Sequence, residues 1–296
     1  MGHEPTTPPI AVTQPTKVLF PRDGITKRDV VDYYVGIADR LLPHLAGRPL
    51  TLERYPDGID REGWIQRNAP DWFPPIIGRL EVPKVGGRTR YPVITDLAGL
   101  VYLVNLATIT FHVPPVVADD LTHPDVLVFD LDGPEDAGPE PVRRAAALVR
   151  DHLEGLGIPS YVKTTGSAGY HVHVFVVPEL PTEAFAATAK ALADELVAAH
   201  PDELTSALRK RDRGDRVFVD WLRNRFPATA VAPWSLRARP GAPIAAPIRW
   251  EDLPSVAPRD RTLRDVAALA AEPDPWQGRR PISLVPQARR LGILEP

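Results

Sequence analysis

Four apolar residues running into two carboxylates, Val126-Leu-Val-Phe-Asp-Leu-Asp132, constrain this chain more than any other stretch. Val126, Leu127, Val128 and Phe129 have no polar interruption, and His123-Pro124-Asp125 and Gly133-Pro134 bound the run, as expected of a buried strand. Side chains alternate between the faces of a strand, so Asp130 and Asp132 share a face at its end. Two like charges that close repel unless a cation stands between them. Hard oxygen ligands suit Mg²⁺ or Mn²⁺, which fill the rest of their shell with phosphate oxygens and water. An isolated Asp-x-Asp is equally well read as a strand entering an acidic turn, so the rest of the chain has to decide.

The 296 residues suffice for one large domain or two smaller ones, and 44% hydrophobic with 25% charged residues is ordinary for a soluble globular protein. The 35 prolines are scattered through otherwise periodic segments, which implies many short rigid turns. Cysteine is absent, which excludes disulfides, thiolate zinc sites, iron–sulfur clusters and a cysteine nucleophile. Any metal must therefore be held by Asp, Glu or His. No apolar run approaches about 18 residues, and the N-terminus lacks the basic and apolar regions of a signal peptide. A soluble, cytoplasmic protein without a membrane partner is expected. The net charge is −3, yet Arg209-Lys-Arg-Asp-Arg-Gly-Asp-Arg216 is dense in cations, and Arg223, Arg225, Arg237 and Arg239 follow. Such a run is either a solvated loop or a local surface for phosphates.

Pattern reading predicts a loose leader over 1–16, a strand at 18–20, and a helix N-capped by Thr26 with Asp29 in an acidic capping box. That helix should end by Pro43. A strand over 50–54 precedes an ordered loop over 56–79 with little regular structure. A helix over 95–107 and a strand over 108–113 come before the aspartate strand. After it come a helix over 141–155, strands over 160–163 and 171–177, a helix over 182–199, a strand over 217–220 and a helix over 263–271. The mixture argues for an α/β or α+β fold with mixed rather than purely parallel sheets.

Three pieces on strands suit one site. The first is Asp130 with Asp132. The second is Lys163-Thr-Thr-Gly-Ser-Ala-Gly-Tyr-His-Val-His173, where glycines permit a tight turn whose backbone N–H groups can cradle an anion. Thr165 and Ser167 add hydroxyls there, and His171 and His173 share a strand face. The third is Asp220, at the end of a short β-type run as Asp130 is. Carboxylates beside an anion cradle suit two-metal phosphoryl or nucleotidyl transfer. Each piece also has a plain reading: a histidine satisfied in the interior, an aspartate capping a turn, a His-x-His that lacks a third zinc ligand.

Two family resemblances compete. Four apolar residues before Asp-Leu-Asp-Gly look like the first motif of haloacid-dehalogenase-type phosphatases, with Gly214-Asp-Arg-Val-Phe-Val-Asp220 similar to their late acidic motif. Pro134 departs from that pattern, and about 125 residues precede a motif that normally opens the domain. Over residues 14–275 the chain instead resembles the polymerase domain of bacterial ligase D, in the archaeo-eukaryotic primase superfamily. The matching stretches are Lys17-Val-Leu-Phe-Pro with Gly24-Ile-Thr-Lys27 and Asp32-Tyr-Tyr34; Leu45-Ala-Gly-Arg-Pro49; Phe111-His-Val-Pro114; Val128-Phe-Asp-Leu-Asp132; Thr165-Gly-Ser-Ala-Gly-Tyr-His-Val172; Val217-Phe-Val-Asp-Trp221; and Ala230-Val-Ala-Pro-Trp-Ser-Leu-Arg237. All of them stand in the family's order, and the phosphatase pattern explains none of the N-terminal or Trp-Ser-Leu-Arg matches.

The second resemblance implies a primase-type fold of mixed central sheets flanked by helices, with a catalytic domain over 17–275 and a tail over 276–296. It implies a metal-dependent nucleotidyltransferase that extends 3′ ends at DNA gaps or double-strand breaks, favouring ribonucleotides over deoxynucleotides. Asp130, Asp132 and Asp220 would hold two divalent metals, Mn²⁺ or Mg²⁺. His171, Thr165, Ser167 and Arg237 would grip the NTP or dNTP triphosphate, with His112 close by. Lys17 and Lys27 match the family's pocket for a DNA 5′-phosphate, and Trp64 the aromatic that stacks on the template. The family's Pro after Asp-x-Asp is Gly133, its serine is Thr165, its Gly-Ser-Lys-Gly lysine is Ala168, and a second template aromatic is Ile65. No ligase or nuclease module is recognisable, so a stand-alone, nucleoid-associated form handing its product to a separate ligase, alongside an end-binding protein, is expected. A non-catalytic DNA-end-binding module, in which the lysines and Trp64 matter and the aspartates do not, is the alternative from another class.

Overall fold

The computed structural model describes residues 10–134 and 137–295; residues 1–9 of the expected leader lie outside the described residues. Strands β1 (Val18–Phe20), β2 (Ile25–Thr26), β3 (Thr51–Arg54), β4 (Trp64–Gln66), β5 (Gly78–Lys84), β6 (Gly87–Val93) and β7 (Thr108–Val113) come first, with helices α1 (Lys27–Gly36), α2 (Ala38–Leu45) and α3 (Leu97–Asn105). Strands β8 (Val126–Asp132), β9 (Tyr161–Thr164), β10 (Tyr170–Phe175), β11 (Leu204–Thr205), β12 (Val217–Asp220), β13 (Ala230–Val231) and β14 (Pro247–Ile248) follow. They are joined by α4 (Glu140–Gly155), α5 (Thr182–Ala199), α6 (Val266–Ala271) and α7 (Val285–Arg290). No helix among the described residues is long and apolar enough to cross a membrane.

The chain divides into two units. The first takes the described residues up to Val113, with Val231–Ala246 and Arg261–Asp274. The Thr26 hydroxyl accepts from the Asp29 N–H, and the Asp29 carboxylate accepts from the Thr26 N–H, so α1 starts in the expected capping box. Pro43 does not end the helical stretch as expected: α1 stops at Gly36, and α2 runs through Pro43 to Leu45. The carbonyl that Pro43 cannot bond belongs to Asp39, which is exposed and can turn to water, while buried Leu41 and Leu45 keep the helix docked. The expected loop over 56–79 also contains a strand, β4, which lies at the edge of the antiparallel β7-β3-β4 array. β5 and β6 form a separate antiparallel ribbon, in register from Gly78 opposite Val93 to Lys84 opposite Gly87.

Tyr33 and Tyr34 are buried in this unit's core, their hydroxyls donating to the carbonyls of Trp234 and Ile109. Burial pushes both phenols well above their usual range. The folded chain therefore holds these protons where the unfolded chain, above about pH 10, releases them. Stability should fall as pH rises past that point, with each phenol contributing up to about 1.4 kcal/mol per pH unit. Urea unfolding at pH 9 and 11 checks this: Tyr34→Phe should lose less stability between the two than the unmodified chain.

The second unit takes Pro114–Ala230, Pro247–Asp260 and the described residues from Pro275. Its six-stranded sheet has the order β11-β12-β8-β10-β9-β14, parallel only between β11 and β12, which makes it mixed as the sequence implies. Leu127, Phe129, Leu131, Val172, Val174 and Val219 point to one face and join a core with Val142, Val149 and Leu153 of α4 and Phe185 and Leu192 of α5. The opposite face of β8, β10 and β12 is left to the alternate residues, and these are polar where the strands end.

Candidate active site

Strand register sets the polar face. Asp130 of β8 lies directly opposite Asp220 of β12 on one side and His171 of β10 on the other, and His171 lies opposite Lys163 of β9. Directly opposed residues share a face, so Lys163, His171, Asp130 and Asp220 form one row across four strands. Asp132, two residues on, stands on the same face opposite Phe218. The three aspartates expected to converge are thus on adjacent strands of one sheet.

The row is electrostatically crowded. His171 Nε2 lies 3.1 Å from Asp130 Oδ1. Arg223 stands between two carboxylates, its Nε 3.4 Å from Asp130 and its Nη2 3.1 Å from Asp220. Asp220 Oδ1 also accepts from the Leu222 N–H at 2.8 Å. Burial works against ionisation of Asp130, but His171, Arg223 and Lys163 outweigh it and hold its carboxyl down at about 2. Asp132 goes the other way: desolvation, then the charges of Asp130 and Asp220, push it up to about 6. Burial also raises Asp220, against the pull of Arg223.

Among the described residues no three His, Asp or Glu side chains form a ready-made ion cage. Arg223 supplies the cation between Asp130 and Asp220. The donor set still fits hard divalent ions: three carboxylates on one face, one of them raised by burial and then by the negative charge of the others, are what a divalent cation would relieve. Asp130, Asp132 and Asp220 would hold it, and Arg223 would have to give way.

Thr165 and Ser167 lie in the turn from β9 to β10. The Thr165 hydroxyl donates to the Gly169 carbonyl and accepts from the N–H groups of Ser167 and Gly169, so it is committed to shaping the turn. Gly166 has φ +62°, and a Cβ on Gly169 would stand 2.0 Å from the Leu131 carbonyl oxygen. Only glycine fits there. Arg259 donates from Nε to the Ser167 carbonyl at 2.8 Å, bringing a guanidinium beside Ala168, which offers no cation.

The remaining expected residues belong to the first unit. Lys17 and Lys27 are drawn together by pairing of β1 with β2, where the Lys27 N–H donates to the Lys17 carbonyl. Lys17 Nζ binds Asp57 at 2.9 Å. Lys27 Nζ is buried, donating to the Asn105 carbonyl at 2.9 Å and the Thr13 hydroxyl at 3.3 Å. Burial, then the charge of Lys17, lowers its pKa. His112 of β7 hydrogen-bonds Glu53 of β3. Burial opposes ionisation of Glu53, but His112, Arg237 and Thr110 hold its carboxyl below the usual range. Trp64 stands exposed on β4.

Sequence reasoning missed the roles of Lys163, Arg223, Glu53 and Arg259. Arg223 follows Asp220 by three residues, and Glu53 alternates with Thr51 along β3, but only strand register shows what either faces.

Comparison with known proteins places these features in a family. The model of the LigD primase-polymerase domain matches residues 26–276. The multifunctional non-homologous end joining protein LigD of Mycobacterium bovis is 34% identical over 270 residues, covering 88% of this chain and 36% of that protein. The Pseudomonas aeruginosa LigD is 30% identical over 272 residues, covering 90% of this chain and 32% of its own length. The chain thus spans about a third of the length of these two relatives. The polymerase domain of Mycobacterium tuberculosis ligase D, solved in complex with DNA, superposes with a TM-score of 0.85 at 32% identity, covering 92% of this chain and 98% of that one. The match sets aside the phosphatase reading and agrees with the mixed α/β architecture. The chain belongs to the LigD primase-polymerase domain family and is, by that membership, a polymerase-type nucleotidyltransferase.

Proposed function

We propose that the chain adds nucleotides, ribonucleotides in preference, to 3′ ends at DNA gaps or double-strand breaks, in end joining. One observation carries the reading: Asp220 lies in register with Asp130, with Asp132 on the same face, so carboxylates far apart in sequence meet in one row. These would hold Mn²⁺ or Mg²⁺, which when bound neutralises a triphosphate and activates a hydroxyl for in-line attack. His171 orients Asp130 through its 3.1 Å contact. Ser167, in the turn shaped by Thr165, and Arg259 beside it suit the triphosphate. Lys17 and Lys27 would receive a 5′-phosphate, whose extra charge rewards paired cations. Ribonucleotide preference rests on family membership alone. Sealing the product would fall to a ligase, and holding the ends to an end-binding protein.

The test is primer extension on a gapped duplex with Mn²⁺, supplied with NTPs or dNTPs. Extension in both, faster with NTPs, is expected; hydrolysis of a generic phosphomonoester without extension would overturn the reading.

A further inference from the structure

Trp64 is the exposed member of a built arrangement. It lies directly opposite Arg54 across the β3–β4 pair, and the Arg54 guanidinium carbon sits 5.0 Å from the indole centroid. Arg54 is itself buried and closely held. Its Nε and Nη2 both donate to the Leu106 carbonyl, at 3.0 and 2.8 Å, and its Nη1 donates to Gln66 Oε1 at 2.6 Å. Gln66 in turn donates to the Asn68 carbonyl, and the Asn68 side chain accepts from the Arg90 N–H of β6. A planar guanidinium fixed this way is a rigid plate under one face of the indole. Trp64 remains 48% exposed, so the side away from that plate is open.

An exposed indole on an edge strand ordinarily samples several rotamers, and a ligand that stacks on it must first freeze them. Here the freezing is done in advance. We propose that Arg54 is a positioning residue for nucleic-acid binding: it holds Trp64 in the orientation from which the indole stacks on an unpaired base. The assignment rests on the template-stacking role that the family resemblance implies for Trp64. Arg54 touches no base; it acts through the indole. Lysine cannot replace it, because an ammonium has neither the flat face nor the fork that grips Leu106 and Gln66 together.

The experiment is a double-mutant cycle on the full chain, read as affinity for a gapped duplex with an unpaired template stretch, by fluorescence anisotropy at fixed salt. Trp64→Ala should weaken binding about 5- to 150-fold, the range for loss of one stacked base. Arg54→Lys, which keeps the charge, should weaken it about three- to tenfold with Trp64 present. In the Trp64→Ala background the same change should cost less than about twofold. Gln66→Met, which removes one of Arg54's anchors while leaving the guanidinium, should move affinity in the same direction by less. An equal loss from Arg54→Lys in both backgrounds, or none in either while Trp64→Ala still weakens binding, would overturn the inference and leave the stacking reading standing. No effect of Trp64→Ala would overturn both.

Discussion

Asp130→Asn should lower nucleotide addition by on the order of a thousandfold or more. The side chain keeps its shape, so the effect isolates charge. Asp130 lies within the row, beside His171 at 3.1 Å and Arg223 at 3.4 Å, and of the three aspartates it is the one whose carboxyl is held down in the ionised state. Without that charge His171, Arg223 and Lys163 face a neutral amide, and the proposed divalent-cation site would lose one of its carboxylates. Single-turnover extension of a primed gap, with far-UV circular dichroism to confirm folding, reads the outcome. Retention of even a tenth of the rate would remove Asp130 from the chemistry.

Lys27→Ala should remove the preference for a 5′-phosphorylated over a 5′-hydroxyl gap, a loss of about 10- to 100-fold in affinity for the phosphorylated end. Lys27 is buried and hydrogen-bonded to a main-chain carbonyl and a hydroxyl, neither of which neutralises it. Lys17 lies beside it, and its partner Asp57 is exposed. Two cations with one exposed carboxylate between them leave a positive excess that a terminal phosphate can meet. Binding of the two duplexes at one salt concentration checks it. The 5′-hydroxyl duplex should bind almost unchanged, since it never offered the dianion. Equal weakening of both duplexes would mean that Lys27 serves the fold rather than the phosphate.

The parts of this molecule that follow from local rules were legible in the sequence. Two-residue periodicity put Asp130 and Asp132 on one face of β8, and the Thr26–Asp29 pair announced the start of α1. Asp220 stood out as the end of a short β-type run and again in the family motifs, but its place opposite Asp130 no local pattern could give, because strand pairing is a long-range property. The same limit hid Arg223, which reads as part of a basic loop until β12 is laid beside β8. The ribbon of β5 and β6 was missed although Gly86 and Gly87, both at positive φ, mark its turn; its strands are largely exposed and lack the apolar alternation that betrays a half-buried strand. Pro43 misled in the opposite sense, since a proline ends a helix only when the carbonyl it abandons has nowhere else to turn.

The proposed function requires that Asp130, Asp132 and Asp220 together bind divalent cations. Calorimetric titration of Mn²⁺ into the unmodified chain and into Asp220→Asn tests it without any substrate. Saturable binding by the first, weakened at least tenfold in the second, is the result expected from carboxylates that share one cation site. Identical binding curves, or no binding by either, would contradict it.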